Sequence, residues 1–258
     1  MHLILTGATG LVGTAVLDAM IRTKDVTKIS VLSRRPVKFA DDRINVIIHE
    51  DFASYDPDLL SKLRDAQGCV WALGISQTQV SKEEYVTITK TYPLAAAKAF
   101  QSLPQNSKTE EPFHFVYVSG EGATFTPGRL TPFFGKVKGE AELSLGEIQA
   151  SNPASFRATS VRPAFVDWTG HEEIKPFLPD FGLIKNVAGS VMSPIVRFAA
   201  GSSWSPTKPL GKFLTGMAMG MWDGALDGEG VERLPSGLAV VRNTGIRRVM
   251  GLDAERAL

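Results

Sequence analysis

Three glycines near the amino terminus have the spacing of a turn that binds phosphate. Gly7, Gly10 and Gly13 follow an apolar run directly and open a stretch whose apolar residues recur at helical spacing. In such a turn the glycines allow a tight bend, a close approach of the backbone to a pyrophosphate, and packing of helix on strand. The amide groups and dipole of the helix amino terminus favour the anion. The pattern predicts a dinucleotide site, with a purely structural turn as the alternative.

Two arginines follow the second apolar run, where a residue that contacts the adenosine ribose is expected. Enzymes that prefer NAD usually carry Asp or Glu about 20 residues beyond the glycines. This chain has Ser33, Arg34 and Arg35 at that place. Guanidinium groups suit a 2′-phosphate because they donate paired hydrogen bonds to an anion, so we predict NADP(H) in preference to NAD(H). The alternative, solvated arginines in a turn before Pro36, competes more strongly for Arg35 than for Arg34.

Strand-like and helix-like segments alternate over the first 165 residues. Short apolar runs predict strands at 2–6, 28–33, 44–49, 69–73, 113–118 and 155–162, and helical patterns cover 11–21, 81–103 and 131–150. Nearly continuous apolar strands separated by helices are typical of a parallel sheet covered on both faces. The predicted fold is therefore α/β, a Rossmann-like doubly wound parallel sheet. We expect Pro93 to bend the long helix.

The sequence changes character after Pro163. Proline- and glycine-rich segments there carry helix-like stretches at 187–200 and 208–223 and a final basic segment at 241–250. We interpret residues 1–165 as an NAD(P)-binding domain. Residues 166–258 would form a small C-terminal substrate cap within the same compact unit.

Composition argues against several classes of function. The 258 residues include 28 Lys plus Arg and 27 Asp plus Glu, so a net charge of +1 gives no basic field for nucleic acid or an anionic membrane. Cys69 is the single cysteine, which excludes intrachain disulfides and a multi-cysteine zinc site and favours a cytoplasmic location. We expect it to be a small buried hydrophobic residue. The apolar start lacks the basic segment of a signal peptide, and we predict no stable membrane span.

Further short motifs accompany the glycine turn. They are Asp51-Phe52 after the third predicted strand, Ala72-Leu73-Gly74 after the fourth, Val118-Ser119-Gly120 after the fifth, Arg162-Pro163 after the sixth, and Val137-Lys138-Gly139-Glu140 on the helix at 131–150. Over about residues 1–170 this set resembles the short-chain dehydrogenase/reductase superfamily. More narrowly, it resembles the atypical branch, which includes many fungal NAD(P)-binding proteins of unassigned role.

The resemblance implies positions for the cofactor. Asp51 and Phe52 would flank the adenine, residues 72–74 would line the cofactor ribose, and residues 163–166 would lie beside the nicotinamide. The full predicted cofactor set is Gly7, Thr9, Gly10, Leu11, Val12, Gly13, Ser33, Arg34, Arg35, Asp51, Phe52, Ala72, Leu73, Gly74, Lys138, Pro163, Phe165 and Val166. Ser119 and Lys138 would occupy catalytic positions. Without the resemblance, Asp51 can cap a turn, Ser119 can end a strand and Lys138 can be solvated.

Phe134 departs from the pattern of the superfamily. Members carry Tyr-x-x-x-Lys on this helix, and the spacing to Lys138 puts phenylalanine at the tyrosine position. The tyrosine protonates the alkoxide formed when a carbonyl accepts hydride, and phenylalanine has no proton to donate. Loss of a general acid typically costs roughly 10² to 10⁴ in rate.

Three interpretations of this departure stay open. Another group can donate the proton, with Ser119, Arg129, Tyr85 and Asp167 as candidates. The electrophile can be an iminium cation, which becomes a neutral amine on hydride addition. The chain looks similar to fungal members of the branch in indole-alkaloid pathways, which reduce an iminium and then hold the product during an intramolecular cycloaddition. NADP(H) can also be bound without turnover.

The leading prediction is an atypical NADP(H)-dependent reductase of a small, largely apolar metabolite, with an imine, iminium or enone of secondary metabolism as candidate substrate. The alternative is an NADP(H)-binding non-redox protein, either a scaffold for intramolecular cycloaddition or a redox-sensing regulator. The expected partner is a small molecule, and a homodimer is allowed. For His171, beside two glutamates, we predict a solvated surface residue, and we predict no metal site.

Overall fold

The computed structural model describes residues 1–103, 111–178 and 203–253. The strands in these ranges are β1 (His2–Thr6), β2 (Lys28–Ser33), β3 (Ile44–Ile48), β4 (Ala66–Trp71), β5 (Phe113–Val118), β6 (Phe156–Arg162), β7 (Phe165–Asp167), β8 (Trp204–Pro206), β9 (Val231–Arg233) and β10 (Ala239–Arg242). The helices are α1 (Leu11–Arg22), α2 (Pro57–Lys62), α3 (Lys82–Val86), α4 (Tyr92–Phe100), α5 (Phe133–Ser151), α6 (Thr207–Ala218) and α7 (Asn243–Val249).

Eight of these strands form one sheet in the order β3-β2-β1-β4-β5-β6-β10-β9, and β7 pairs with β8 separately. Neighbouring strands in the large sheet are parallel except for β9 and β10. From β1 the chain builds outward through β2 and β3 on one side and through β4, β5 and β6 on the other. The predicted doubly wound α/β fold is confirmed. In such sheets ligands bind beyond the carboxyl ends of the strands, where the strand order reverses.

Apolar residues cover both faces of the sheet. In β4, Cys69 and Trp71 belong to one buried cluster with α2, α4 and α5, whereas Val70 belongs to another with α1 and α6. The alternation follows from the two-residue period of a strand. Helices α1 and α6 approach closely at Gly211, where a Cβ would lie 2.3 Å from the carbonyl oxygen of Ala15. Cys69 is fully buried, as predicted.

The helix predicted at 81–103 is interrupted just before Pro93. A π-helical segment, Thr87–Thr91, separates α3 from α4. Proline lacks an amide hydrogen, so it cannot bond to the carbonyl of Thr89 four residues earlier. The hydroxyl of Tyr117 donates to that carbonyl instead, at 2.9 Å. This contact anchors the break in the helix to β5.

The segment predicted as a substrate cap also contributes to the main sheet. Strand β10 pairs with β6, β9 extends the edge, and α6 packs on α1. The predicted helix at 208–223 begins at Thr207 but ends at Ala218, because Gly220 takes the left-handed conformation (φ +73) that ends helices. The predicted helix at 187–200 lies outside the described residues. None of the helices in the described ranges is long and apolar enough to cross a membrane.

Candidate functional site

The glycine turn leaves the amino terminus of α1 open. Gly7 has a left-handed backbone (φ +71), and a Cβ there would lie 2.4 Å from the carbonyl oxygen of Ala72. A Cβ at Gly13 would lie 2.0 Å from the carbonyl oxygen of Gly7. Gly10 is the N-cap residue and has no side chain to bond the first-turn amides, and this turn carries no acidic residue. The amides and helix dipole are therefore available to an anion.

A cavity of about 830 Å³ begins at this helix terminus and follows the carboxyl ends of the central strands. The predicted site residues that line it are Gly10, Leu11, Val12, Ala72, Leu73, Gly74, Ser119, Lys138, Pro163, Phe165 and Val166. The fold therefore brings residues from the turns after β1, β4, β5 and β6 to one cavity. The C-terminal part of the chain adds Ser203, Arg242, Asn243 and Thr244 to its wall.

A second, smaller pocket of about 40 Å³ lies at the other side of the glycine turn. It is lined by the predicted residues Gly7, Thr9, Ser33, Arg34, Arg35, Phe52 and Leu73. Leu73 lines both spaces. Arg34 and Arg35 are exposed, and neither has a carboxylate within salt-bridge distance among the residues that the structure describes. Asp51 lies outside this pocket, and its carboxylate accepts from the amide of Ala53 at 3.0 Å.

Ser119 and Lys138 meet at the centre of the large cavity. Ser119 is 4% exposed, and its hydroxyl has no hydrogen-bond partner in the described part of the chain. The ammonium group of Lys138 donates to the carbonyl oxygen of Ser119 at 2.5 Å. Burial lowers the pKa of Lys138 to about 8, and the charge of Glu142 opposes part of this decrease. The pair combines an unpartnered hydroxyl with an ammonium group that can lose a proton near neutral pH.

Glu142 lies one helical turn beyond Lys138, inside the protein. Its carboxylate accepts from the hydroxyl of Ser160 at 2.7 Å and from Nε of Arg162 at 2.9 Å, and a second nitrogen of Arg162 completes the ion pair. The guanidinium group of Arg162 also lies 4.8 Å from the ring centre of Phe125. These contacts hold α5 against β6 and thereby position the face of α5 that carries Lys138.

The other predicted catalytic residues do not line the cavity. The ring of Phe134 packs over Gly122, and its amide donates to the side chain of Gln77 at 2.9 Å. Arg129 is exposed in the loop before α5. Asp167 is buried and accepts from the hydroxyl of Thr169 at 2.7 Å. The structure therefore brings Ser119 and Lys138 together and leaves these three at the periphery.

Tyr85, the fourth candidate donor, is buried outside the cavity, where its ring lies 5.9 Å from that of Phe133. Sequence reasoning did not single out Tyr117, which does line the cavity. Its hydroxyl is occupied by the carbonyl of Thr89, and burial raises its pKa well above the ordinary value. The signal available in the sequence was its place two residues before Ser119.

Glu121 and Asn243 are further residues that the sequence analysis missed. Glu121 accepts from the amide of Asn243 at 3.0 Å and from the guanidinium of Arg242 at 3.2 Å. The side-chain oxygen of Asn243 accepts from Ser205 at 2.6 Å, and Ser205 accepts from the amide of Ala164 at 2.9 Å. This network ties the loops after β5 and β6 to the start of α7. The only signal for Glu121 in the sequence was its place directly after Ser119-Gly120.

His171 is buried, so the prediction of a solvated surface residue is wrong. Its ring bonds Asp18 through Nε2 at 3.1 Å and Thr207 through Nδ1 at 3.0 Å. The turn at Glu172–Phe177 packs on α1, which encloses the imidazole between α1 and α6. The histidine therefore joins three elements of the fold.

Two fungal proteins are similar to this chain in sequence, whereas no protein-family model matches it. It is 37% identical to leucinostatins biosynthesis cluster protein T of Purpureocillium lilacinum over 217 residues, which is 77% of each protein. It is 45% identical to botcinic acid biosynthesis cluster B protein 16 of Botryotinia fuckeliana (strain B05.10) over 160 residues, covering 62% of this chain and 99% of that protein.

Solved structures that share the fold include the following three. The PhqB reductase domain from Penicillium fellutanum aligns with a TM-score of 0.61 at 16% identity, and this chain spans less than two thirds of it (84% of this chain, 64% of that one). A short chain dehydrogenase family protein from Francisella tularensis subsp. tularensis SCHU S4 gives 0.61 at 13% identity, covering 95% and 98%. MoeE5 in complex with UDP-glucose and NAD gives 0.61 at 12% identity, covering 98% and 81%.

At these identities the solved structures establish the fold alone, and the sequence relatives establish the closer relationship. The chain belongs to the same protein family as leucinostatins biosynthesis cluster protein T and botcinic acid biosynthesis cluster B protein 16, and it has the fold of the short-chain dehydrogenases/reductases.

Proposed function

We propose that the protein is an NADP(H)-dependent reductase of a small, largely apolar metabolite in a fungal biosynthetic pathway. The observation that carries the proposal is the single cavity that connects the open amino terminus of α1 with Ser119 and Lys138. The names of the two relatives support the biosynthetic context, and the fold of MoeE5, which was solved with NAD, supports a nicotinamide cofactor.

The residues present fit such a cofactor. The uncapped first turn of α1 would hold the pyrophosphate, and glycines at 7 and 13 let the backbone pack closely enough to form the turn that exposes it. Residues 72–74 would line the ribose, and Lys138 would bond its hydroxyls. Residues 163–166 would lie beside the nicotinamide. Bound NADPH would supply a hydride at that end of the cavity.

The preference for NADP(H) rests on Arg34 and Arg35. Both guanidinium groups border the small pocket and have no carboxylate partner among the described residues. Their donors are free for a 2′-phosphate, which binds such groups through charge-assisted hydrogen bonds. The pocket has no Asp or Glu to accept from an unmodified ribose.

The substrate end combines an apolar wall with polar groups from the turn after β5 and from the C-terminal part of the chain. Ile75, Ala164, Phe165 and Val166 supply apolar surface, and the hydroxyl of Ser119 can bond a substrate heteroatom. In this proposal residues 1–165 hold the cofactor, and residues 166–258 complete the substrate side through Ser203, Asn243 and Thr244. An iminium suits a site without the usual tyrosine because it needs no proton, whereas an imine or an enone needs another proton donor.

A titration of the purified protein with NADPH and with NADH tests the cofactor assignment. Quenching of tryptophan fluorescence and the shift in melting temperature both report binding. We expect tighter binding of NADPH than of NADH. If neither NADPH nor NADH binds, the proposal is overturned. If NADPH binds but is not oxidised when imines and enones are added, a non-redox scaffold or regulator is favoured.

A further inference from the structure

We propose that the ammonium group of Lys138 is the proton donor of this site and takes the part of the tyrosine that Phe134 replaces. The inference rests on the proposed reductase function and goes beyond it, because it assigns the acid.

The other ionisable groups in the described part of the cavity wall are unsuited to donate. The hydroxyl of Tyr117 donates to the carbonyl of Thr89, and its pKa is raised further by burial. The carboxyl oxygens of Glu121 already accept hydrogen bonds from Arg242 and from the amide of Asn243. The guanidinium of Arg242 keeps its proton at any ordinary pH.

Lys138 has the required position. Its Nζ reaches the carbonyl oxygen of Ser119 at 2.5 Å and lies 3.4 Å from the place that a Cβ on Gly120 would take, at the wall of the cavity. The unpartnered hydroxyl of Ser119 belongs to the same turn. No carboxylate lies within salt-bridge distance of Lys138 among the described residues, so its remaining protons are not committed to an ion pair. Phe134 is one helical turn away and lies outside the wall.

The acidity of Lys138 agrees with this position. Burial lowers its pKa to about 8, against the opposing charge of Glu142. A general acid works best when its pKa is near the working pH, because it is then both protonated and able to release the proton. An exposed lysine, with a pKa near ~10.4, holds its proton more tightly.

The proton step balances for a carbonyl substrate with NADPH as the reductant. When the carbonyl carbon accepts a hydride, the π electron pair moves to the oxygen. A new O–H bond forms as one N–H bond of Lys138 breaks, and the neutral amine then regains a proton from water. The carbonyl is reduced to an alcohol and NADPH is oxidised to NADP⁺. An iminium substrate takes the hydride and needs no such proton.

The acidity of Lys138 can be measured without turnover. Competitive acetylation with trace acetic anhydride between pH 6 and pH 11, followed by mass spectrometry of the α5 peptides, gives the pH midpoint of each lysine. Lys136 is the internal control, since it is exposed on the same helix. We expect Lys138 to titrate near pH 8 and well below Lys136. Equal midpoints for the two lysines would overturn the proposal.

Turnover is tested with two probes of the same bicyclic skeleton, 2-tetralone and 2-methyl-3,4-dihydroisoquinolinium. Lys138→Arg keeps a cation but removes a proton that can leave near neutral pH. We expect this variant to bind NADPH within a few-fold of the wild type and to lose ketone reduction by roughly 10²- to 10⁴-fold. Iminium reduction by Lys138→Arg should persist. Ketone reduction by the wild type should fall above pH 8, where Lys138 loses its proton. Lys138→Met is the second variant, and Lys136→Arg is the matched control with unchanged rates.

The outcomes separate the two proposals. Failure of NADPH to bind the wild type would refute the cofactor assignment while leaving the acetylation result readable. If NADPH binds, then ketone reduction retained by Lys138→Arg, or no ketone reduction by the wild type, would overturn the role of Lys138. Loss of both reactions in Lys138→Arg with intact NADPH binding would also overturn it, because a proton donor is not needed for the iminium.

Discussion

Glu142 and Arg162 form an ion pair inside the protein that joins α5 to β6. Glu142 is fully buried, and its carboxylate also accepts from the hydroxyl of Ser160 at 2.7 Å. Lys138 lies on the same helix, one turn earlier, and the charge of this carboxylate raises its pKa. The pair therefore links the position of the helix to the acidity of the cavity lysine.

Replacement of Glu142 by glutamine is expected to destabilise the protein by about 3–5 kcal/mol, because it leaves the charge of Arg162 buried without a partner. Urea denaturation followed by circular dichroism measures the change. Glu140→Gln is the control, since Glu140 pairs with Lys90 at the surface and its loss should cost at most about 1 kcal/mol. Equal stabilities of the two variants would show that the buried pair contributes nothing.

Gly10→Asp is expected to weaken NADPH binding while leaving the melting temperature unchanged or raised. An aspartate at the N-cap can bond the free amides of α1, and its charge repels the pyrophosphate that we place there. A Cβ at this position lies 3.3 Å from the carbonyl oxygen of Gly7, so both substitutions at Gly10 require the turn to shift by a few tenths of an ångström. Gly10→Ser is the control, because serine caps the helix without charge. Fluorescence titration should show a larger loss for the aspartate, and equal affinities would contradict the anion site.

Replacement of Arg34 and Arg35 together by serine is expected to lower NADPH affinity by roughly 10- to 100-fold, from the loss of charge-assisted hydrogen bonds. NADH affinity should change little, because NADH has no 2′-phosphate. The loss for NADPH should be larger at low salt than at high salt, since both side chains are exposed. An equal loss for NADH and NADPH would show that the arginines do not read the 2′-phosphate.

His2 is expected to make stability fall as the pH drops below 6.5. Burial, with a contribution from Lys28, lowers its pKa from 6.5 to about 4, and its ring bonds the hydroxyl of Ser30 at 2.8 Å. The folded state therefore favours the neutral ring. Its contribution is complete above pH 6.5 and is lost as the pH falls toward 4, by up to about 3 kcal/mol. The drop in melting temperature from pH 7 to pH 4.5 should be smaller in His2→Gln than in the wild type. An equal drop in both proteins would show that His2 does not cause the loss of stability.

Local patterns in the sequence were sufficient for the alternation of strands and helices and for the glycine turn. The apolar runs at 2–6, 28–33 and 113–118 coincide with β1, β2 and β5, since a strand buried on both faces is apolar over most of its length. The same reasoning predicted a bend at Pro93, and the π-helical segment Thr87–Thr91 lies just before it, because the missing amide hydrogen is a property of the residue itself.

Contacts between residues far apart in the chain were decided only by the tertiary structure. The burial of His171 depends on the packing of its turn against α1, and the use of β10 as a sheet strand depends on the free edge of β6. The sequence by itself determined which residues follow each strand, and so it identified the glycine turn, the two arginines and Ser119. It also placed Lys138 on the helix that follows β5. Only the folded chain could decide that Lys138 meets Ser119 while Phe134 packs elsewhere, because burial and hydrogen bonding come from neighbours that no local pattern names.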